Sequence, residues 1–274
     1  MMEDSETKSV RVARPGQAEI PREAPTRTLE KGLFLLGLFD VDHPEWTLRE
    51  LREQAGLPKA TTRRLMKTLE ASNWVAYDSE AGTYHLGSAV LRALYLATSH
   101  NELVRIAHPF LARLEEETNE TSCLTVWTEQ GALIIDTVPT SRPFRPRTWA
   151  GMLLSGTGSA DAQVLVAFGS EHTRQSMLAS PQRARTEHTV VDPEILKGRL
   201  ARARREGVAV EQEEWLEGAA GVAAPVFNQN GHLRAAVSLV PPIERFSEAE
   251  IEDYKTAVMR TAAELSAELG YQAG

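Results

Sequence analysis

Lys59, Arg63, Arg64 and Lys67 lie within about two and a half helical turns, and no acidic residue interrupts the run before Glu70. At ~100° per residue the four share one side of a helix, while Thr62, Leu65, Met66 and Leu69 share an apolar arc roughly opposite. Cations gathered on one face suit phosphate: each one that reaches a backbone phosphate releases counterions, and arginine or hydroxyl side chains can read base edges. Thr61, Thr62, Arg63 and Arg64 form the expected reading end, with Lys59 and Lys67 on phosphates; Thr62 also belongs to the apolar arc. The plainer alternative is a solvated amphipathic helix. The chain as a whole is acidic, with 30 Lys+Arg against 38 Asp+Glu and a net charge of −8, so the cluster runs against the average. Such an average does not forbid a nucleic-acid partner, because binding depends on where the cations sit.

Other chemistries fare worse. The single Cys123 excludes an intramolecular disulfide and a Cys-rich zinc site. Gly156-Thr157-Gly158 hints at a phosphate loop, but neither a complete G-x-x-x-x-G-K-[ST] nor a complete G-x-G-x-x-G is present, and none of the seven histidines has H-E-x-x-H spacing. Cys123 with a distant histidine would be a nucleophile pair only if the fold joined them; a lone strand cysteine reads as core. No catalytic residue, metal or cofactor is therefore expected. Cys123 and Trp127 alternate on a predicted strand and face one side, either as pocket lining or as plain core. Arg142, Arg145 and Arg147, with Phe144 and Trp149, form a basic-aromatic loop with three open readings: a clamp for an acidic ligand, a subunit interface, or an exposed loop.

The elements that must position these residues are legible. Residues 1–25 mix acids, Arg, Pro and Gly without apolar periodicity and read as a flexible arm; Arg22 and Arg27 have two open readings, contacts in a minor groove or part of a disordered tail. Thr28 is the expected cap of a first helix whose Leu29, Leu33 and Leu36 fall at i, i+4 and i+7, an apolar stripe. Thr47 to Glu50 (TLRE) is a capping box opening a second helix that stops at Gly56, and Pro58 opens the basic third helix. Val75 and Tyr77, then Tyr84 and Leu86, flank a turn at residues 78–82. Three helices and a hairpin in this order are a winged helix-turn-helix. Residues 87–99 predict an apolar helix, and residues 102–117 a further one. Strand pairs are expected at 123–127 with 132–138 and at 221–227 with 233–240; helices are expected at 160–168, from Asp192-Pro193 to about Gly207, and from the Ser247–Glu250 capping box to about Leu269. Composition, 42% hydrophobic and 25% charged, fits a soluble globular chain. The polar N-terminus predicts no secretion signal, no apolar run suits a membrane span, and a cytoplasmic location is expected.

The segment GLPKATTRRLMKTLEASNWVAYDSEAGTYHLG resembles the helix-turn-helix and wing of the isocitrate lyase regulator (IclR) family of bacterial transcription factors. EEWLEGAAGVAAPVFNQNGHLRAAVSL is similar to that family's second-half pattern, and the resemblance spans roughly residues 26–270. It implies an α+β chain: a winged helix-turn-helix at 26–87, a linker helix at 88–100, and a GAF-like α/β effector-binding domain with a mostly antiparallel sheet at 101–270. It implies operator DNA as partner, a dimer or tetramer, and a small-molecule effector on one face of the sheet.

The lining that the resemblance implies is Met152, Leu154, Gly158, Ser159, Glu211, Gly221, Ser238 and Val240. Gly158 and Ser159 would offer backbone N–H groups at a helix start, which suits a carboxylate; Glu211 would orient a hydroxyl or repel a second anion. The sequence departs from the family pattern where Ser155, Ala160 and Asp161 replace a His, a Gly and a basic residue, and where Val240-Pro241-Pro242 follows Ser238-Leu239. These departures point away from small glyoxylate-type acids toward a larger or aromatic organic acid. The rival reading is an interaction protein whose winged helix serves only as a dimer scaffold. A small-molecule hydrolase would need a clustered nucleophile and base, which the sequence does not show.

Overall fold

The computed structural model describes residues 26–40, 43–99 and 101–272. The arm at 1–25, Arg22 included, lies outside the described residues. The chain divides into two compact units, residues 1–100 and 101–274.

The first unit runs α1 (Arg27–Leu36), β1 (Glu45–Thr47), α2 (Leu48–Ala55), α3 (Lys59–Ala71), β2 (Val75–Asp78), β3 (Thr83–Leu86) and α4 (Ser88–Ser99). The Thr47–Glu50 capping box forms, with Thr47 N–H donating to the Glu50 carboxylate at 2.9 Å and Glu50 N–H donating to Thr47 Oγ1. Gly56 ends α2 in the left-handed region, φ 60°, where a side chain would be strained. Leu35, Phe39, Leu51, Leu57, Leu65, Met66, Val75 and Tyr84 close one small core. At Gly87 a Cβ would stand 2.2 Å from the Asn73 carbonyl oxygen, so only glycine lets the wing end dock against the chain leaving α3.

Two expectations for α1 are corrected. The helix starts earlier than Thr28, with Thr26 at the N-cap position and no side-chain cap bond. Leu29 and Leu33 are 62% and 59% exposed, while Gly32 and Leu35 turn inward. RTLEKGLFLL carries leucines on more than one side, and its spacing alone does not say which stripe meets α2 and α3. The strand β1 was not expected; it pairs Trp46 with Tyr84 and gives the sheet order β1-β3-β2. Three residues are too few to leave a period-2 signature.

The second unit contains α5 (Glu102–Thr118), β4 (Thr121–Thr128), β5 (Gly131–Val138), β6 (Leu153–Leu154), α6 (Ala160–Phe168), α7 (Glu171–Ala179), α8 (Pro193–Glu206), β7 (Ala209–Gln212), β8 (Ala220–Phe227), β9 (Leu233–Val240), a 3₁₀ turn at Ile243–Arg245, and α9 (Glu248–Glu268). Six antiparallel strands lie in the order β6-β5-β4-β9-β8-β7. Strand alternation sorts their side chains into two cores. Leu124, Val222, Ala224, Val237 and Leu239 pack against α5 and α9; Cys123, Ala223 and Ala236 face α6 and α8. The second face, closed by α6, is where the expected site residues gather. The short strands β6 and β7 and the helix α7 had no counterpart in the sequence reading.

Candidate functional site

Helix α3 divides as its sequence demands. Leu65 and Met66 are buried in the first unit's core, whereas Lys59, Arg63, Arg64 and Lys67 are exposed. Among the described residues none of these four side chains makes an ion pair or a hydrogen bond. Arg63, Arg64 and Lys67 line a shallow concavity with Ala60, Thr68, Ala71 and Ser72. Thr61 is half-buried. Thr62 is a correction: it is 0% exposed, and its hydroxyl donates to the Pro58 carbonyl at 3.3 Å, so it anchors the helix and is not available to a base edge. The apolar arc wins because the residue lies one turn before Leu65 and Met66.

On the α6 face of the second sheet, register sets the rows. Ser238 of β9 stands beside Cys123 of β4 and Ala223 of β8, and Glu211 of β7 stands opposite Gly221 of β8. Ser159 caps α6 by accepting the Ala162 N–H at 3.2 Å. Asp161, in the first turn of α6, points down onto this face and accepts a 2.6 Å hydrogen bond from Thr125 Oγ1. Asp161 and Glu211 are each 5% exposed. Burial raises the Asp161 carboxyl, and the Thr125 hydroxyl opposes that shift. Burial pushes Glu211 up to about 8 against the opposing Glu214 N–H bond of 2.9 Å, with the charges of Glu214 and Asp161 adding to the rise. Burial, then Asp161, pushes the Cys123 thiol up to about 12, which keeps it neutral and inert.

The remaining expected lining residues have settled places. Leu154 is buried opposite Ala132, and Met152 and Val240 pack at the edge of the same core. Gly158 is buried with its α-carbon against the backbone of Glu214, where a Cβ would come within 3.1 Å of the carbonyl oxygen. Of the basic-aromatic loop, Arg142 is committed to structure: it donates at 2.9 Å to the fully buried Glu120, which Arg245 also holds at 2.8 Å. Phe144 is exposed.

Two family descriptions match this chain: the IclR helix-turn-helix domain over residues 28–79 and the bacterial transcriptional regulator IclR C-terminal domain over residues 95–267. The chain belongs to the IclR family. It is 29% identical over 263 residues to the transcriptional repressor IclR of Escherichia coli strain K12, covering 94% of this chain and 95% of that protein. The fold matches an IclR transcriptional regulator from Alicyclobacillus acidocaldarius with a TM-score of 0.80 at 25% identity, over 90% of this chain and 100% of the other. An IclR homologue from Microbacterium hydrocarbonoxydans crystallised with 4-hydroxybenzoate matches with a TM-score of 0.72 at 24% identity, over 88% and 99%.

Within this IclR-family chain, α3 lies in the helix-turn-helix DNA-binding domain, and most of the second unit falls within the C-terminal, effector-binding domain. The fold brings Glu211, Gly221 and Ser238 onto one face, with Ser159 at the helix start above it. It adds Thr125 and Asp161, which the sequence reading did not place there. Asp161 was visible as a departure from the IclR pattern, but its side chain could be aimed only once α6 was set over the sheet. Among the described residues no helix is long and apolar enough to cross a membrane.

Proposed function

We propose that this IclR-family regulator grips operator DNA with α3, and that a small molecule bound on the α6 face of the second sheet changes that grip. Arg63 and Arg64 serve as the reading residues with Thr61 beside them, and Lys59 and Lys67 hold phosphates. The observation that carries this is the set of four exposed cations on α3 without partners among the described residues, on a helix whose other face is locked in a core. A scaffold helix has no need to leave four cations uncompensated in a chain of net charge −8.

A homo-oligomer, dimer or tetramer, would present two such helices to grooves about one turn or a multiple apart. The exposed Leu29 and Leu33 of α1 and Leu91 of α4 support burial of this unit against another copy. Coupling of ~1–3 kcal/mol between ligand and DNA would change operator affinity ~5–150-fold.

The test is a gel-shift titration on the DNA upstream of the protein's own gene, with wild type and the Arg63→Ala/Arg64→Ala double variant, over a salt series and with a metabolite library. Specific, salt-sensitive binding that the double variant loses is the expected result. Equal, weak binding by both proteins, to this DNA and to sites selected from random sequence, would favour the scaffold reading.

A further inference from the structure

The sign of charge on the α6 face argues for the class of effector, an inference that rests on reading the second unit as an effector domain. We propose that this site takes a ligand carrying a positive charge, a primary ammonium or an amidinium, held between Asp161 of α6 and Glu211 of β7 with Ser238 of β9 as a third polar contact.

Four features of the site point this way. Two carboxyl groups from different elements lie on one buried face, each 5% exposed, and close enough that the Asp161 charge acts on Glu211. The Glu211 carboxyl reaches the start of α6: a Cβ built on Gly221 would lie 3.0 Å from Glu211 Oε1 and 3.3 Å from Ala160 Cβ. Among the described residues no Lys, Arg or His pairs with either carboxyl; the nearby cation, Arg199 of α8, is bonded to Glu214 instead. Finally, Ser238 Oγ is fully buried beside Asp161 and makes no hydrogen bond of ordinary geometry. A buried hydroxyl left unmade is costly, and a ligand donor would satisfy it.

The helix N-terminus that would welcome an anion is already furnished. Ser159 caps it, Asp161 occupies its first turn, and the Glu214 backbone crowds Gly158. A ligand carboxylate would become a third acid on this face and would bind only while Asp161 and Glu211 both stay protonated. An ammonium reverses this: it favours their ionised forms, donates charge-assisted hydrogen bonds to them, and displaces their protons to solvent. The proposed ligand is opposite in charge to the organic or aromatic acid expected from the sequence, the class to which the 4-hydroxybenzoate of the Microbacterium homologue belongs.

The groups facing the pair are few. Glu214, after β7, is paired with Arg199 and still acts on Glu211; Cys123 of β4 stays a thiol; Asp136 of β5 is paired with His108 at 2.8 Å; β8 and β9 contribute Gly221, Ala223, Ala236 and Ser238, none of which titrates.

The experiment is titration calorimetry on the full chain with matched pairs of probes: benzylamine against benzoate and butylamine against butyrate, at pH 6 and pH 8, in buffers of different ionisation heat. The expected result is amine binding that tightens at pH 8 with net proton release, and at least a tenfold loss in both Asp161→Asn and Glu211→Gln. The second variant guards against a folding defect in the first. Acid binding that weakens as pH rises would overturn the charge assignment and leave the effector-domain reading standing. Absence of heat from every amine would also overturn it; the effector-domain reading would then be judged separately, by whether any metabolite shifts the operator complex.

Discussion

Thr125 Oγ1 donates a 2.6 Å hydrogen bond to Asp161 Oδ1, tying the middle of β4 to the first turn of α6. Both residues are buried. The hydroxyl offsets part of the cost of burying a carboxyl in that setting. Thr125→Val keeps the shape and removes the donor, leaving a buried acceptor unmet. The expected loss is ~1–3 kcal/mol of unfolding free energy. Urea unfolding of the two proteins at one pH measures it, and a change below about 0.5 kcal/mol would mean the bond contributes little.

Glu211 makes stability depend on pH in a definite direction. Its carboxyl sits at about 8 in the folded chain, against about 4.3 for a free glutamate. Between those values the folded state keeps a proton that the unfolded state has released. The unfolded state then binds fewer protons, so stability falls as pH rises from about 4.5 to about 8 and levels off beyond. Asp161 and Glu214, also raised by burial, act with the same sign. The lowered carboxyls of Glu50, Glu117 and Glu250 lose their contribution only as pH falls through the acid range below that window. Wild type should therefore be less stable at pH 8 than at pH 5.5 by on the order of a few kcal/mol. Glu211→Gln can still accept the Glu214 N–H and should lose most of that slope. A variant with the wild-type slope would remove Glu211 from the account.

How far the sequence reached can be judged from these residues. The capping boxes at Thr47 and Ser247, the breaks at Gly56 and Gly207, and helix α6 were legible because each rests on local chemistry that recurs at fixed spacing. The cationic side of α3 was legible for the same reason. Asp161 was not: a residue in a helix's first turn can face solvent or sheet, and only the docking of α6 over β8 and β9 decides. Thr62 shows the converse. Its chemistry fitted base reading and its spacing fitted the core, and packing settled the matter. Arg142 had three open readings in the sequence, clamp, interface or exposed loop, and none of them included Glu120, 22 residues earlier, to which it donates.

Glu120 is fully buried between two guanidiniums, so its removal should be felt more than theirs. Glu120→Ala leaves Arg142 and Arg245 facing an emptied site and should cost about 3 kcal/mol, the low end for a broken buried pair because both arginines reach solvent. Arg142→Ala, which leaves Arg245 in place, should cost about 1 kcal/mol. Denaturant unfolding of the three proteins gives the order. If Arg142→Ala weakened ligand binding while leaving stability intact, the clamp reading of the loop would be favoured.

The face of α3 that meets DNA can be read from salt. Each phosphate contact contributes about 0.9 to the slope of log affinity against log salt, so Lys59→Ala and Lys67→Ala should each lower the slope by about 1 and weaken all sequences alike. Arg63→Ala or Arg64→Ala should instead cost ~1–3 kcal/mol on the preferred site and relax preference at one base pair. Thr62→Val is the internal control. It removes a 3.3 Å bond to the Pro58 carbonyl inside the core and should leave both slope and preference unchanged while shifting the unfolding midpoint. If Thr62→Val altered sequence preference at unchanged stability, α3 would have to dock through the face now buried, and assigning Arg63 and Arg64 as readers would fail with it.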